Sequence, residues 1–477
     1  MSGESDRTVA ATPLAVLDPD SLPRTPADDR AKAARAARLE ARSDDAVRWK
    51  AIEEAGGTDA WVNAELRKKG LLVDESSPDG DKASFKERKK AEAEARRALL
   101  KLVWRAYHAT HVNHVGAGIF FADREAETTQ EREARAARAL SNDLAALDGV
   151  EAMAKSLGLA IPQLRWLCFH REVATHSHYQ LWTIPKRDGS RRQIAAPKRE
   201  LKAAQRWLLR KVVEKLPVHA AAHGFLRARS IATNAAAHAG AACIVKIDVK
   251  DFFPTITFRR VKGLFRKGGL PEGVATLCAL LATESPREVI QFRGKTLFVA
   301  KGPRACPQGA PTSPAITNAI CLRLDRRLSG LARQLRFRYT RYADDLTFSY
   351  QPGDSASSRA PVGALLHGVS VILESEGFRV HKKKTAVMRS GGTQRVTGLV
   401  VNKASDAAAP AARVPRETVR KLRAALFNRE HGRPAKGGET LDQLRGMAAF
   451  IHMTDAKKGR AFLDRIDALE AATAKSK

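Results

Sequence analysis

The pattern of apolar and polar positions changes character near residue 160. Before that point, apolar residues recur at helical spacing inside charged, Ala-rich stretches. These are "DRAKAARAARLEARSDDAVRWKAIEEA" (29–55), "SFKERKKAEAEARRALLKLVWRAYHATHV" (84–112) and residues 128–158, with "DESSPDGDKAS" near 74–84 as a linker. Beyond it, β-forming runs separated by Gly and Pro predict strands: "YQLWTIPK", "RRQIAAPK", "ACIVKIDV", "VIQFRGKTLFVA", "LRFRYTRYA", "DLTFSY" and "RVTGLVV". Helical patterns fall between them at 199–216, 259–283, 313–335 and 362–376, and basic helices follow residue 410. The alternation predicts a mixed α+β domain over about 160–405. Residues 1–28, rich in Ser, Asp, Pro and Thr, read as disordered.

Charge alters this picture. The 477 residues carry 83 Lys+Arg against 52 Asp+Glu, a formal +31. Such an excess points to a polyanionic partner, most often nucleic acid. No long helix pairs a basic face with an aromatic one, and no window reads as a signal peptide or membrane span, which disfavours a membrane. The five cysteines are scattered without a CxxC pair, which fits a reducing cytoplasm and argues against a zinc ribbon or a disulfide framework. The basic region before 158 reads equally as a solvated scaffold or as a nucleic-acid-binding appendage. His108, His111 and His114 recur every three residues, a spacing that spreads them around a helix and favours ordinary histidines over a metal site.

Candidate chemistry begins with "RYADDLTFSY" (341–350). Adjacent acids in a strand would send one carboxylate into a core, at a cost of several kcal/mol if unpaired. A tight hairpin turn lets both Asp344 and Asp345 project from its tip. Two close carboxylates then call for a cation between them. A third acid, Asp248, lies in the apolar strand "IVKIDV", where alternation puts Ile244, Lys246 and Asp248 on one face and Val245, Ile247 and Val249 on the other. A salt bridge to a neighbouring Lys is the simplest use of one such acid. Three acids from two strands suit two-Mg²⁺ phosphoryl transfer, because Mg²⁺ takes a few carboxylates plus substrate phosphates.

"YADD" (342–345) with "DVKDFF" (248–253) resembles the palm of a reverse transcriptase. Further motifs follow in that family's order. "IPKRDGSRRQI" (184–194) resembles the fingers hairpin that binds triphosphate, with Lys186 and Arg192 as its cations. "PQGAPTSP" (307–314) resembles the loop packing on the incoming nucleotide, with Gln308 and Gly309 matching. Gly309 would let backbone approach a base or sugar, and Thr312 or Ser313 would cap the next helix. "GFRVHKKKT" (377–385) resembles the segment with a lysine near the pyrophosphate; Lys384 matches, beside Lys382 and Lys383. Phe253 falls where the family places its steric gate against a ribose 2′-hydroxyl, although Phe252 or Phe253 must be a core ring. "NAAAH" (234–238) and "VTG" (396–398) resemble the NAxxH and VTG signatures of retron reverse transcriptases. Asn234 and His238 share a helix face and would contact RNA or brace the palm; Val396, Thr397 and Gly398 would end a strand, with Gly398 free to take positive φ.

The resemblance spans roughly 105–465 and is to the myxobacterial type, which is very basic and has a long N-terminal extension. It implies an α+β right-hand polymerase (fingers, palm, thumb) with a mainly helical N-terminal extension over 29–158, fingers and palm over 159–400, and a helical thumb and tail over 401–477. Fingers would occupy about 160–240 with part of 258–305, and palm 241–257 and 306–400. Catalytic and metal-holding residues would be Asp248, Asp344 and Asp345, with two Mg²⁺ ions as cofactor. Asn234, His238, Val396, Thr397 and Gly398 would serve RNA recognition. The implied activity is RNA-directed DNA synthesis in the cytoplasm. It would start from a guanosine 2′-hydroxyl in a cognate structured RNA and make a branched RNA-linked DNA from deoxynucleoside triphosphates. Implied partners are that RNA and its DNA product, a host ribonuclease H, and an effector protein in phage defence. Alternatives are a group II intron-type reverse transcriptase and a non-catalytic RNA-binding protein.

Overall fold

The computed structural model describes residues 49–73, 82–122, 127–185, 189, 191–350, 359–403, 411–435 and 437–475. The chain divides into two compact units, 1–111 and 112–477. In the first, helices α1 (Trp49–Glu54), α2 (Thr58–Lys68) and α3 (Lys82–Thr110) enclose a small core of Ile52, Val62, Leu66, Leu99, Val103 and Ala106. Here His108 stacks on Trp104 at 5.6 Å and His111 on Tyr107 at 4.4 Å, so both rings pack rather than converge.

The second unit starts well before the change of texture at 158. Helices α4 (Thr129–Ser141), α5 (Val150–Leu157) and α6 (Ile161–Cys168) place Ala139, Met153 and Leu164 in its main core. Their short amphipathic stripes cannot be satisfied alone and are buried against the strand-bearing body. The rest runs β1 (Val173–Ala174), β2 (Tyr179–Pro185), β3 (Arg191–Pro197), α7 (Arg199–Lys211), α8 (Ile231–Ala236), β4 (Cys243–Asp248), α9 (Phe258–Lys267), α10 (Glu272–Ala282), β5 (Arg287–Phe292) and β6 (Lys295–Ala300). Then come α11 (Ser313–Ile320), α12 (Leu322–Gln334), β7 (Phe337–Tyr342), β8 (Asp345–Tyr350), α13 (Val362–Ser375), β9 (Ala386–Arg389), β10 (Arg395–Val396), β11 (Leu399–Val400), α14 (Arg416–Glu430), α15 (Leu441–His452) and α16 (Ala456–Lys475).

Two predicted helices are each split. The 259–283 pattern breaks at Gly268–Pro271, where Gly269 takes φ +105 and Pro271 cannot continue a helix. The 313–335 pattern breaks at Cys321, between α11 and α12. Helix α10 is apolar all round and buried along its whole length.

An antiparallel sheet in the order β7-β8-β4-β9 positions the site. Alternation along β4 holds: Val245 and Ile247 join the main core, while Ile244 joins a second core with Val396, Leu399, Leu422, Leu444 and Ile466. One strand therefore forms a wall of both cores. Among the described residues no helix is long and apolar enough to cross a membrane, and all five cysteines are buried thiols.

Candidate active site

Register brings the acids together. Asp248 ends β4 directly opposite Asp345, which begins β8. Strands β7 and β8 are joined by the two-residue turn Ala343–Asp344, with Ala343 at φ +57. Positive φ at a non-glycine residue is costly, so the surroundings must hold this turn in place. The backbone N–H of Val249 donates to the Asp344 carbonyl at 3.0 Å, tying the turn to the end of β4.

Two cations already sit on these acids. Lys246, two residues before Asp248 on the same face, donates to Asp345 at 3.2 Å. Lys384 donates to Asp248 at 3.2 Å. It is delivered by backbone pairing beyond the end of β4, where Val249 bridges Val380 and the His381 N–H donates to the Asp248 carbonyl at 2.8 Å. Among the described residues no cation forms an ion pair with Asp344, and Lys384 acts on it only through its charge. Burial, reinforced by the nearby Asp248 and Asp345 charges, pushes its carboxyl above the usual range.

Among the described residues no three acidic, His or Cys side chains form a closed metal cage. Mg²⁺ keeps water and substrate phosphates as ligands and takes one or two carboxylates from the protein. Asp344, with its raised carboxyl, and the neighbouring Asp248 and Asp345 are the donor set such an ion would neutralise.

The sequence did not reveal what holds the turn. Arg341, the residue before Tyr342, is fully buried with Asp325 of α12. Its guanidinium grips that carboxylate through Nε at 2.9 Å and Nη2 at 2.8 Å, and Nη1 donates to Asn318 Oδ1 at 3.0 Å. Tyr339 donates to the same carboxylate at 2.8 Å, and Asn318 Nδ2 donates to the Gly224 carbonyl at 2.8 Å. Gly224 lies against the turn: a Cβ there would meet the Ala343 nitrogen at 3.0 Å. The faint sequence signals were an Arg inside a strand pattern and an Asp on the buried face of the amphipathic helix α12.

The nucleotide-side residues are placed unevenly. Arg192 is exposed on β3 opposite Ile184, while Lys186 lies outside the described residues. The Ala195 N–H donates to the Gln308 carbonyl at 2.8 Å, joining the β2–β3 hairpin to the "PQG" loop. Gly309 takes φ +121, and a Cβ there would meet the Ala195 carbonyl at 2.9 Å. The close approach that demands this glycine is thus to β3, not only to a base or sugar. Neither Thr312 nor Ser313 caps α11: Thr312 has helical φ and ψ and no capping bond, and Ser313 Oγ donates to the Pro307 carbonyl at 2.8 Å. Phe252 is the core ring, packed on Phe378 at 5.6 Å, and Phe253 is half-buried beside it.

The NAxxH segment has the geometry of a brace. Asn234 and His238 are fully buried. Thr340 Oγ1 donates to Asn234 Oδ1 at 2.6 Å, and His238 bridges Thr340 through Nε2 and Ser349 through Nδ1, both at 2.7 Å. The pattern closes for a neutral ring with its proton on Nε2. Burial lowers the His238 pKa to about 3, so the ring stays neutral at physiological pH. The "VTG" residues form a hairpin turn between β10 and β11. Val396 is buried, and Thr397 and Gly398 take φ +46 and +86. Thr397 Oγ1 donates to the Ile231 carbonyl at 2.9 Å, so the two signatures are adjacent.

Comparison with known proteins gives this geometry a family. The profile of the family described as reverse transcriptase (RNA-dependent DNA polymerase) matches residues 184–418. The retron Mx162 reverse transcriptase of Myxococcus xanthus is 58% identical over 470 residues, 97% of this chain and 96% of that one. The retron Mx65 reverse transcriptase of the same organism is 43% identical over 66% of this chain and 70% of that one. The retron Ec86 reverse transcriptase of Escherichia coli is 31% identical over 69% and 91%. With identity of this degree running almost from end to end, the chain belongs to the retron reverse transcriptases, right-hand RNA-directed DNA polymerases.

Proposed function

We propose that the protein copies part of a cognate structured RNA into DNA, starting from a guanosine 2′-hydroxyl of that RNA, and so makes a branched RNA-linked single-stranded DNA. The observation that carries this reading is the convergence of Asp248, Asp344 and Asp345 at one end of the central strand. Asp248 and Asp344 would hold two Mg²⁺ ions with Asp345; when bound, these supply an activated attacking hydroxyl and a stabilised pyrophosphate leaving group. Lys384, paired with Asp248 at 3.2 Å, would meet that pyrophosphate. Arg192 and Lys186 would clamp the triphosphate from the β2–β3 hairpin, Gln308 and Gly309 would form the floor under the nucleotide, and Phe253 would crowd a ribose 2′-hydroxyl. In this assignment the four-stranded sheet is the palm, the hairpin and its helices are the fingers, and α14–α16 are the thumb. Asn234, His238, Val396 and Thr397 act behind the palm, holding the surface that meets RNA. Template trimming by a host ribonuclease H, an effector protein and a role in phage defence complete the reading.

The test uses protein purified from its native host with its nucleic acid still bound. Labelled deoxynucleotides and Mg²⁺ are added, and the product is run on a denaturing gel. A discrete species that shortens with ribonuclease, and again with a 2′,5′-debranching enzyme, is expected. A linear product would favour the intron-type enzyme. Inertness on this RNA and on an added primer–template would favour a binding protein.

A further inference from the structure

Helix α3 of the first unit has two unlike faces. One carries Leu99, Val103 and Ala106 into the small core. The other carries Lys86, Lys90, Arg97, Lys101, Trp104 and His108. At about 100° per residue these six positions fall within roughly 60° of one another, along a stripe of about 33 Å. The first five are exposed and His108 is half-buried. Of the acids on the same helix, Glu92 lies about 120° from Trp104, while Glu94 and Glu87 flank the stripe about 20° and 40° beyond Lys101. Within the roughly 60° arc itself the helix places cations and no acid.

Trp104 is the unusual member. The residue is 57% exposed, although the fold fills its core without it. A large exposed apolar ring is informative where an exposed Lys is not. The ring is also held in position: His108 stacks on it at 5.6 Å with 30° between planes, and Tyr107 meets it edge-on at 5.9 Å. A fixed aromatic face at the end of a row of cations is the arrangement that binds unpaired nucleic-acid strands. Cations track phosphates, and the ring takes a base on its π-face.

We infer that this face of α3 is an RNA-binding site, in which Lys86, Lys90, Arg97 and Lys101 contact the backbone of a single-stranded or loop segment and one base stacks on Trp104. The inference rests on the proposal that the enzyme has a cognate RNA, and it gives the N-terminal unit a share in holding that RNA. Charge complementarity selects a polyanion, and the ring selects one with exposed bases.

The test measures binding of the full-length chain to an in vitro transcript of the RNA that copurifies with it, across a range of KCl concentrations. Replacing the four cations together by Gln should flatten the slope of log affinity against log salt by up to about 3, since each single-strand phosphate contact contributes about 0.7. Trp104→Ala should weaken binding about 5- to 150-fold with the slope unchanged. Trp104→Phe should recover part of the loss and Trp104→Leu should not, because Leu restores apolar bulk without a stacking face. An unaltered slope in the Gln variant, or wild-type affinity in Trp104→Ala, overturns the inference. So does Trp104→Leu matching Trp104→Phe. Binding to vesicles of equal parts phosphatidylcholine and phosphatidylserine that is lost in the Gln variant, with RNA binding intact, also overturns it in favour of a membrane. If the wild type binds the transcript but makes no RNA-linked DNA from it, the proposed template falls and the stripe does not. If the stripe variants bind as the wild type does while branched DNA is made, the stripe falls and the template reading does not.

Discussion

Replacing Arg341 by Met should cost the sheet about 3–5 kcal/mol, because it strands the fully buried Asp325 carboxylate with, among the described residues, only the Tyr339 hydroxyl as a hydrogen-bond donor. The magnitude follows from the geometry. Two charge-assisted bonds, at 2.9 and 2.8 Å, are lost from a site with no solvent access, and Asn318 loses its donor at 3.0 Å. The double replacement Arg341→Met with Asp325→Leu removes both charges and should recover much of this, as apolar substitutes for buried pairs do. Native-state hydrogen exchange of the β7 and β8 amides is the assay, since it reports on this sheet rather than on the whole two-unit chain. DNA synthesis on a primer–template is measured alongside. The double variant should regain exchange protection but not full activity, because the turn carrying Asp344 loses its anchor through Asn318 and the Gly224 loop. Less than about 1 kcal/mol of lost protection in Arg341→Met would refute the reasoning, since an unpaired buried carboxylate cannot be that cheap. Full activity in the double variant would show that the pair serves stability and not the turn.

The remaining predictions are briefer. Asp248→Asn, Asp344→Asn and Asp345→Asn should each lower DNA synthesis by roughly 100- to 1000-fold or more with RNA binding kept, and synthesis near wild-type in any of them would remove that residue from the metal site. Phe253→Val should raise ribonucleotide incorporation relative to deoxynucleotide, and an unchanged ratio in steady-state assays would count against the gate. His238 has a folded pKa of about 3 against an ordinary 6.5, so the unfolded state binds the proton first. Its contribution to stability is complete above pH 6.5 and drains away as the pH falls towards 3, about 2 kcal/mol being gone at pH 5. His238→Gln should flatten the fall in urea midpoint between pH 7 and pH 5, and parallel curves for variant and wild type would contradict the buried neutral ring.

What could be read in the sequence depended on how local its physics was. The YADD turn was legible because two acids in a strand pattern have few tolerable geometries. The face of β4 that carries Asp248 was legible from alternation alone. Arg341 was not, because one buried guanidinium looks like any other among 83 Lys+Arg, and its partner lies on a separate helix. Asn234 and His238 do lie on one side, as their spacing suggested, but α8 ends at Ala236 and His238 sits in the turn beyond it, and the inward direction was not legible. Their partners Thr340 and Ser349 are more than a hundred residues away, so nothing nearby marked the face as inward. Gly309 showed the same gap: its need for a bare Cα was visible, but the strand that imposes it was not.

The adjacency of the two signature motifs bears on what such motifs do. A side chain with no exposed surface cannot read RNA, so Asn234, His238 and Val396 must act through what they hold. Asn234 and His238 hold β7 and β8, and Val396 packs with Ile244 of β4. Gln394 donates to the Ala241 carbonyl at 2.9 Å, and the Gly240 N–H donates to the Val401 carbonyl at 2.7 Å, fastening the β10–β11 hairpin just ahead of that strand. Ile244 of β4 then packs with Leu422, Leu444 and Ile466 of the last three helices. Interiors are close-packed, so a strand shared by two cores cannot shift for one without disturbing the other. Asp248 is the last residue of that strand. Apolar packing thus ties the C-terminal helices to the strand that carries Asp248, while the buried polar bonds of Asn234 and His238 brace the neighbouring strands β7 and β8. Because an unmade bond of that kind costs about 1–3 kcal/mol, the packing has one favoured register.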